Sequence, residues 1–243
     1  MRLRFLGTGS AMPDGKRVQT GLLLEGGDRP LLVDVGSGVL HRLAQTEMGY
    51  EGVDTVLLTH HHLDHVSDLM PLVKARWLAG EESLTVVGPA GTRDLLDGLF
   101  DVYEYMQDRI DLTVREVDVG SFDLAGLSID AMETRHSLPG LAYRFADRLT
   151  VSGDTEAFGA LADFAAVGNV LVHDCSFPDD VESSNHPTPS ALGEVLSGRD
   201  VDHLYLTHLY PHTNGRHEEM TTSIEAHFDG AVTIARDGLT VTI

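Results

Sequence analysis

A chain of 243 residues is long enough to bury one large hydrophobic core, as one domain or as two tightly packed halves. Its composition, 42% hydrophobic and 23% charged, is that of a globular protein, and no apolar run reaches the roughly 18 residues of a membrane span, so no membrane-spanning helix is expected. The net charge of −21 falls only to about −17 with two divalent cations bound, and such a surface repels polyanions, which disfavours long RNA or DNA as partners. Glycines and polar residues interrupt the N-terminal MRLRFLGTGSAMP too early for a secretion signal, and the lone Cys175 cannot close an internal disulfide, so a cytoplasmic location is expected.

In chain order, residues 2–6 and 21–25 read as strands around a turn-rich loop, Gly7 to Thr20. Leu31 to Val35 is an apolar strand ending in Asp34-Val35-Gly36-Ser37-Gly38, and Val39 to Met48 reads as a helix. Val53 to Leu58 is a buried-type strand that runs into Thr59 and a histidine cluster. Ser67–Ala79 and Thr92–Tyr105 read as helices on either side of a strand at Leu84–Val87, which Gly88-Pro89 closes. Further strands are expected at Thr113–Val117, Leu127–Met132, Ala142–Phe145, Leu149–Val151, Val170–Val172 and Val201–Leu206. Pro189–Leu196 has a helical signature, with proline in the first turn and Thr188 as its cap. No linker divides the chain, and residues 1–243 are taken as one domain. VDTVLLTH (53–60) and VDHLYLTH (201–208) echo each other: two apolar strands, each delivering a histidine at its end.

The chemistry concentrates in His60-His61-His62-Leu63-Asp64-His65. In an extended segment alternate side chains share a face, so His60 and His62 point together and His61 points away. Asp64 and His65 follow where the chain must turn, so one metal can draw on His60 and His62 and a neighbouring one on Asp64 and His65. Imidazole and carboxylate donors suit zinc, with manganese or iron also accommodated. Four ligands do not complete two sites. The remaining candidates are His136, Asp154 in Ser152-Gly153-Asp154-Thr155, whose two oxygens can bridge both metals, and His208 in Leu206-Thr207-His208. Each lies at or just beyond a predicted strand end, where a rigid sheet presents functional groups on loops. Read singly, each is better explained as a structural or turn residue; it is their company that makes them candidate ligands.

These residues resemble the metallo-β-lactamase superfamily, and its ribonuclease Z-like branch in particular. The resemblance runs through the opening Phe5-Leu6-Gly7-Thr8-Gly9-Ser10-Ala11, the His60-x-His62-x-Asp64-His65 motif, His136 ahead of Gly140-Leu141-Ala142-Tyr143-Arg144, Ser152-Gly153-Asp154-Thr155, and Leu206-Thr207-His208. It implies an α/β fold, the four-layer αβ/βα sandwich of two facing mixed sheets with helices outside. It also implies a ligand assignment: His60, His62, His136 and Asp154 for one metal, and Asp64, His65, Asp154 and His208 for the other, with Asp34 anchoring the histidine loop from beneath. Two further segments resemble the phosphodiesterase subset. Val172-His173-Asp174 stands where that branch carries a His-Glu pair, which places Asp174 behind the site. His186-Pro187-Thr188 stands where it carries His-Ser-Thr, and there the histidine protonates the leaving group; here Pro187 replaces the serine. The branch's Pro-x-Lys-x-Arg-Asn loop is matched only loosely by Pro13 to Gln19; Lys16 and Arg17 there could contact phosphate, but an exposed, solvated loop explains them better.

The departures narrow the substrate. tRNA-processing members carry a long arm between the third histidine and the bridging aspartate, whereas His136 and Asp154 are 18 positions apart. With the acidic charge, this favours a small phosphodiester, such as a cyclic nucleotide, a cyclic phosphate or a short oligonucleotide. Such a substrate is expected to be hydrolysed by a hydroxide held between two divalent cations, most naturally zinc, with Asp64 taking a proton and His186 giving one. The alternatives are a carboxyl-ester, lactone or thioester hydrolase on the same site, a ribonuclease Z-like endonuclease, a di-iron redox protein, and a non-catalytic metal-binding module. A homodimer is compatible with each.

Overall fold

The computed structural model describes residues 1–181 and 183–243. The first half contributes β1 (Arg2–Gly7), β2 (Gly21–Glu25), β3 (Leu31–Val33), α1 (Val39–Ala44), β4 (Thr55–Leu57), α2 (Leu63–Val66), α3 (Leu69–Ala79), β5 (Ser83–Gly88), α4 (Thr92–Val102) and β6 (Asp111–Glu116). The second half contributes β7 (Gly120–Leu124), β8 (Leu127–Glu133), β9 (Leu141–Phe145), β10 (Leu149–Val151), α5 (Gly159–Ala166), β11 (Val170–Asp174), α6 (Pro189–Leu196), β12 (His203–Thr207), α7 (His217–Glu225), β13 (Ala231–Ile234) and β14 (Thr240–Thr242). The strands form two seven-stranded mixed sheets. One runs β14-β1-β2-β3-β4-β5-β6 and the other β13-β12-β11-β10-β9-β8-β7, so the last strand returns to pair with the first.

The period of two in each strand sorts its side chains between two cores. Leu22 and Leu24 of β2, Leu31 and Val33 of β3 and Leu57 of β4 point between the sheets, where they meet Ile129, Tyr143, Phe145, Val151 and Val172 of the opposing sheet. Their neighbours Leu23, Leu32, Val56 and Leu58 point outward against Val39 and Leu43 of α1, Leu69, Leu72 and Val73 of α3 and Leu96 of α4. On the far side, Leu171, Leu204 and Leu206 pack under Ala162, Leu192, Leu196, Met220 and Ile224 of α5 to α7. Each fully buried leucine contributes roughly 1.5–3 kcal/mol. Strands with apolar residues on both faces must be covered on both sides, and the αβ/βα sandwich expected from the sequence is the result.

Several boundaries differ from expectation for local reasons. The strand from Leu31 stops at Val33 because Asp34 adopts a left-handed backbone, φ 59°, and turns the chain. The helix expected to reach Met48 ends at Ala44, where Thr46 Oγ1 donates to the Leu43 carbonyl and accepts from Gly49 N. The helix expected to reach Tyr105 ends at Val102, and a separate turn of 3₁₀ helix follows at Glu104–Met106. Pro189–Leu196 forms as read, with Thr188 Oγ1 accepting from Ala191 N at 3.3 Å. The echoed octapeptides become β4 and β12, one in each sheet and each between two parallel neighbours. No helix among the described residues is long and apolar enough to cross a membrane.

Candidate metal centre

Strands β3, β4, β8, β10, β11 and β12 all end at the same edge of the sandwich; Asp174 is the last residue of β11, and the chain just past the other ends supplies Asp34, His60, His136, Asp154 and His208. Close packing of the sheets brings the two sets together. Tyr143, wholly buried in the second sheet, donates its hydroxyl to the Leu58 carbonyl of the first at 2.9 Å. Leu141 N donates to Thr59 O, also at 2.9 Å. Glycine is required in the Ser152-Gly153-Asp154 turn. Gly153 has φ 61°, and a Cβ there would lie 2.9 Å from Thr59 Cβ.

The donors converge in two groups, His60–His62–His136–Asp154 and Asp64–His65–His208, within each of which the ligand atoms lie within 4.8 Å of one another. His62 Nδ1 is 3.0 Å from both His60 Nε2 and His136 Nε2. Asp154 Oδ2 lies 3.7 Å from His60 Nε2 and 3.8 Å from His136 Nε2. In the second group, Asp64 Oδ2 is 3.0 Å from His208 Nε2. Asp154 reaches this group as well, at 3.4 Å from His65 Nε2 and 3.2 Å from His208 Nε2. All seven ligand positions expected from the sequence are therefore brought together, with Asp154 touching both groups.

This donor set fits divalent cations. Tetrahedral zinc with bonds of about 2.0–2.1 Å spaces its ligands about 3.3 Å apart, and the spacings of 3.0–3.8 Å within the first group scatter around that value. His65 is wholly buried, yet its Nε2 makes no hydrogen bond, a deficit a coordinated cation removes. Charge points the same way. Burial alone pushes the Asp154 carboxyl up, but His208, His65 and His60 outweigh it and hold it well below the usual carboxylate range, ionised as a ligand must be. Burial, together with the neighbouring His65, pushes His60 far down, so its imidazole is neutral. His65 shifts the opposite way: burial opposes its charge, but Asp154 and Asp34 prevail and raise it well above the ordinary value. Buried carboxylates thus call for positive charge at the centre of the cluster.

The supports are as definite as the ligands. Asp34 Oδ1 accepts from Thr59 N at 2.8 Å; its Oδ2 accepts from Thr59 Oγ1 at 2.8 Å and lies 2.7 Å from His65 Nδ1. Asp34 thus sits under the histidine loop, where the resemblance puts it. Asp174 Oδ2 lies 2.7 Å from His186 Nδ1, so the carboxylate placed behind the site is the one that orients the proposed acid. His186 stacks on His208 with ring centroids 5.4 Å apart, and it can also share a donor group with Asp154 and His208. Burial lowers His186, and the hydrogen bond and charge of Asp174 more than reverse this, leaving it above the ordinary histidine value. His61 points away, to Thr92 Oγ1 at 2.8 Å, as the alternation requires.

Some participants were not legible in the sequence. Ser176 Oγ lies 2.9 Å from His208 Nδ1 and 3.2 Å from His186 Nδ1, tying the two rings together. The Asn185 carbonyl lies 3.0 Å from His136 Nδ1. Phe177 and Tyr210 stack 4.5 Å apart on the His186 flank, with His212 edge-on to Phe177. A lone serine or a backbone carbonyl has no sequence signature; Phe177, next to Ser176, and Tyr210, two residues beyond His208, could have been flagged by adjacency alone. One expectation is corrected. Arg17 is no free phosphate contact: its guanidinium bonds Thr8 Oγ1 and, at 2.6 Å, the Ala235 carbonyl, and so straps the N-terminal loop to the end of β13.

Fold and donor arrangement together define a metal-dependent hydrolase of the metallo-β-lactamase fold, ribonuclease Z-like. The sequence model of the family described as anti-Pycsar protein Apyc1 matches residues 1–228, and the chain belongs to that family. It is similar to a ribonuclease Z of Methanopyrus kandleri, 33% identical over 283 aligned positions that take in 99% of this chain and 97% of the relative. Its fold resembles the metallo-β-lactamase fold protein YhfI of Bacillus subtilis, with a TM-score of 0.85 at 23% identity and coverage of 99% and 98% of the two chains. It also resembles the short form of human tRNase Z, with a TM-score of 0.80 at 20% identity and coverage of 100% and 99%.

Proposed function

We propose that this protein is a dinuclear phosphodiesterase acting on a small phosphodiester: a cyclic nucleotide, a cyclic phosphate or a short oligonucleotide. The observation that carries the reading is His186, clamped at Nδ1 by Asp174 at 2.7 Å and stacked on His208 at the edge of the ligand cluster. In this reading its Nε2 is the nitrogen that meets the substrate. A leaving alkoxide needs a proton there, whereas hydrolysis of an activated carboxyl ester does not.

In this reading His60, His62, His136 and Asp154 hold one cation, and Asp64, His65, Asp154 and His208 hold the other, with zinc suiting the nitrogen-rich set. Two divalent cations so bound supply charge stabilisation for a phosphoryl group and an activated water. Asp64 Oδ2 lies on the donor side of the cluster, 3.0 Å from His208 Nε2, so in this reading Oδ1 is the atom that orients the attacking water and takes its proton. His186 gives its Nε2 proton to the departing oxygen while Asp174 stabilises the imidazolium form.

Named relatives that process RNA support phosphodiester chemistry, and two features support a small substrate over tRNA. Between His136 and Asp154 the chain is taken up by a short loop, β9, a tight turn through Ala146 and Asp147, and β10. The charge of −21 opposes a long polyanion. The deciding test is a substrate panel on the zinc-loaded protein. Hydrolysis of bis-p-nitrophenyl phosphate and of a 3′,5′-cyclic nucleotide, without activity on p-nitrophenyl butyrate, is the expected result. Carboxyl-ester activity alone would overturn it, and preferential cleavage of a tRNA precursor would move the assignment to an endonuclease.

A further inference from the structure

His173 is a buried titratable side chain that neither the donor cluster nor the proposed acid step uses. It precedes Asp174 at the end of β11, and strand alternation sends it with Leu171 to the helix-covered face of the second sheet. There it is 1% exposed and lines a small apolar pocket with Phe158, Leu161, Leu192 and Leu196 under α5 and α6. Hydrocarbon offers a ring nitrogen nothing to bond, and burying a polar group unpaired is costly. A leucine would suit these surroundings better than an imidazole does.

The polar partner of the ring is Asp174. His173 Nδ1 lies 2.8 Å from the Asp174 carbonyl oxygen and 3.0 Å from its carboxylate Oδ1. Both oxygens are acceptors, so Nδ1 carries the proton and donates it between them. The bond to the backbone carbonyl fixes the ring on β11; the bond to Oδ1 fixes the carboxylate. Asp174, itself 1% exposed, is thereby held at both ends. Oδ1 accepts from His173 and, at 3.3 Å, from Thr155 N, while Oδ2 lies 2.7 Å from His186 Nδ1. Burial pushes this carboxyl up, but the hydrogen bonds from His173 and His186 outweigh it and hold it below the usual carboxylate value. With Oδ1 tied, rotation about the Cβ–Cγ bond is stopped and Oδ2 has one direction left.

Resting on the phosphodiesterase reading, we propose that His173 is a positioning residue for the acid: by holding Asp174 Oδ1 it fixes the direction in which His186 meets the leaving oxygen. The line His173–Asp174–His186 runs from the helix-covered face of the second sheet to the site. His173 keeps its proton throughout, and the proton given to the leaving oxygen comes from His186 Nε2 alone.

Two substitutions separate the donor from the volume it fills. His173→Leu removes the donor and suits the apolar surroundings; His173→Asn returns an amide N–H near the Nδ1 position. Each zinc-loaded variant is assayed on a 3′,5′-cyclic nucleotide, whose leaving alkoxide needs a proton, and on bis-p-nitrophenyl phosphate, whose leaving group does not. The ratio of the two kcat values should fall about 10–100-fold in His173→Leu, and His173→Asn should restore most of it. Because the ratio is taken within each variant, a partial loss of folded or metal-loaded protein cancels. In a His186→Ala background His173→Leu should change the ratio no further. A ratio unmoved by His173→Leu, or a full further fall in the His186→Ala background, overturns the inference and leaves the phosphodiesterase reading standing. One readout needs no turnover: in a long-range nitrogen–proton NMR spectrum of histidine-labelled protein, His173 Nδ1 should bear the proton, and a bare Nδ1 overturns the inference. Native protein inactive on every alkoxide phosphodiester has no acid to position, and that result overturns both readings.

Discussion

Asp34 makes its three hydrogen bonds from a left-handed backbone that costs a non-glycine residue roughly 1–2 kcal/mol. His208 shares that conformation, with φ 56°. Strain of this kind persists where the surroundings over-determine it, and here both residues aim side chains into one cluster. Asp34→Ala releases Thr59 and His65 Nδ1 together. Metal affinity should fall about 10–100-fold, read by competition with a chromophoric chelator; unchanged affinity would show that the histidine loop holds itself. His186→Ala should lower kcat by about 10²–10⁴ for substrates with alkoxide leaving groups and much less for p-nitrophenyl esters, whose leaving group needs no proton, while metal content stays constant. Equal losses across leaving groups would remove the acid role from His186.

At the scale of elements, α6 is held by a carboxylate from outside it. Asp179 Oδ1 accepts from Ser190 N at 2.8 Å and Ser190 Oγ at 2.6 Å, and its Oδ2 accepts from Ser223 Oγ of α7. Burial raises this carboxyl, but the Ser190 and Ser223 bonds prevail and the net shift is downward. A lowered folded-state value means that the stabilisation is present above the unfolded value of about 3.9 and is lost as pH falls through the folded one. Asp179→Asn should therefore destabilise the protein at pH 7, by no more than about 1 kcal/mol because the group is solvent-screened. The difference from the native protein should shrink below pH 4, followed by thermal melts across that range; a pH-independent difference would exclude the ionic origin. Arg76 of α3 fastens the loop ahead of β4. Only 1% exposed, it donates to the carbonyls of Tyr50, Glu51, Val53 and Ser83 at 2.7–2.9 Å. Arg76→Met removes the donor to four carbonyls, of which that of Val53 is buried, and should cost about 1–3 kcal/mol in urea unfolding.

Across the whole molecule, the candidate donors come from both sheets, so a cation bound by them would tie the two halves into one cooperative unit. A cation pair present at about 1,000 times its dissociation constant stabilises the native state by about 4 kcal/mol, which for a chain of this size is a Tm shift on the order of 10 °C. Chelation should lower Tm by that amount and zinc should restore it. A Tm indifferent to chelator would mean that the sheets hold the site open without help. Net charge acts at this scale too: at −21 the chain gains from any cation it buries.

Spacing along the chain was enough to nominate the donors that the fold brings together, because each sits in a short motif whose geometry is local: His60 and His62 by strand alternation, His136, Asp154 and His208 by the apolar strands before them. The layered architecture was legible for a similar reason, since strands apolar on both faces demand cover on both sides. α5, α7, β7, β13 and β14 were missed because little in them alternates or repeats; they are fixed by the surface they cover or the edge they complete. Ser176 between His186 and His208, the Asn185 carbonyl on His136 and the Phe177–Tyr210 stack exist only once distant loops meet at one edge of the sandwich. Local chemistry therefore nominated the side chains that converge in the donor cluster. Only the packing of the two sheets decided what surrounds them, because those contacts join residues far apart in sequence that no short-range pattern connects.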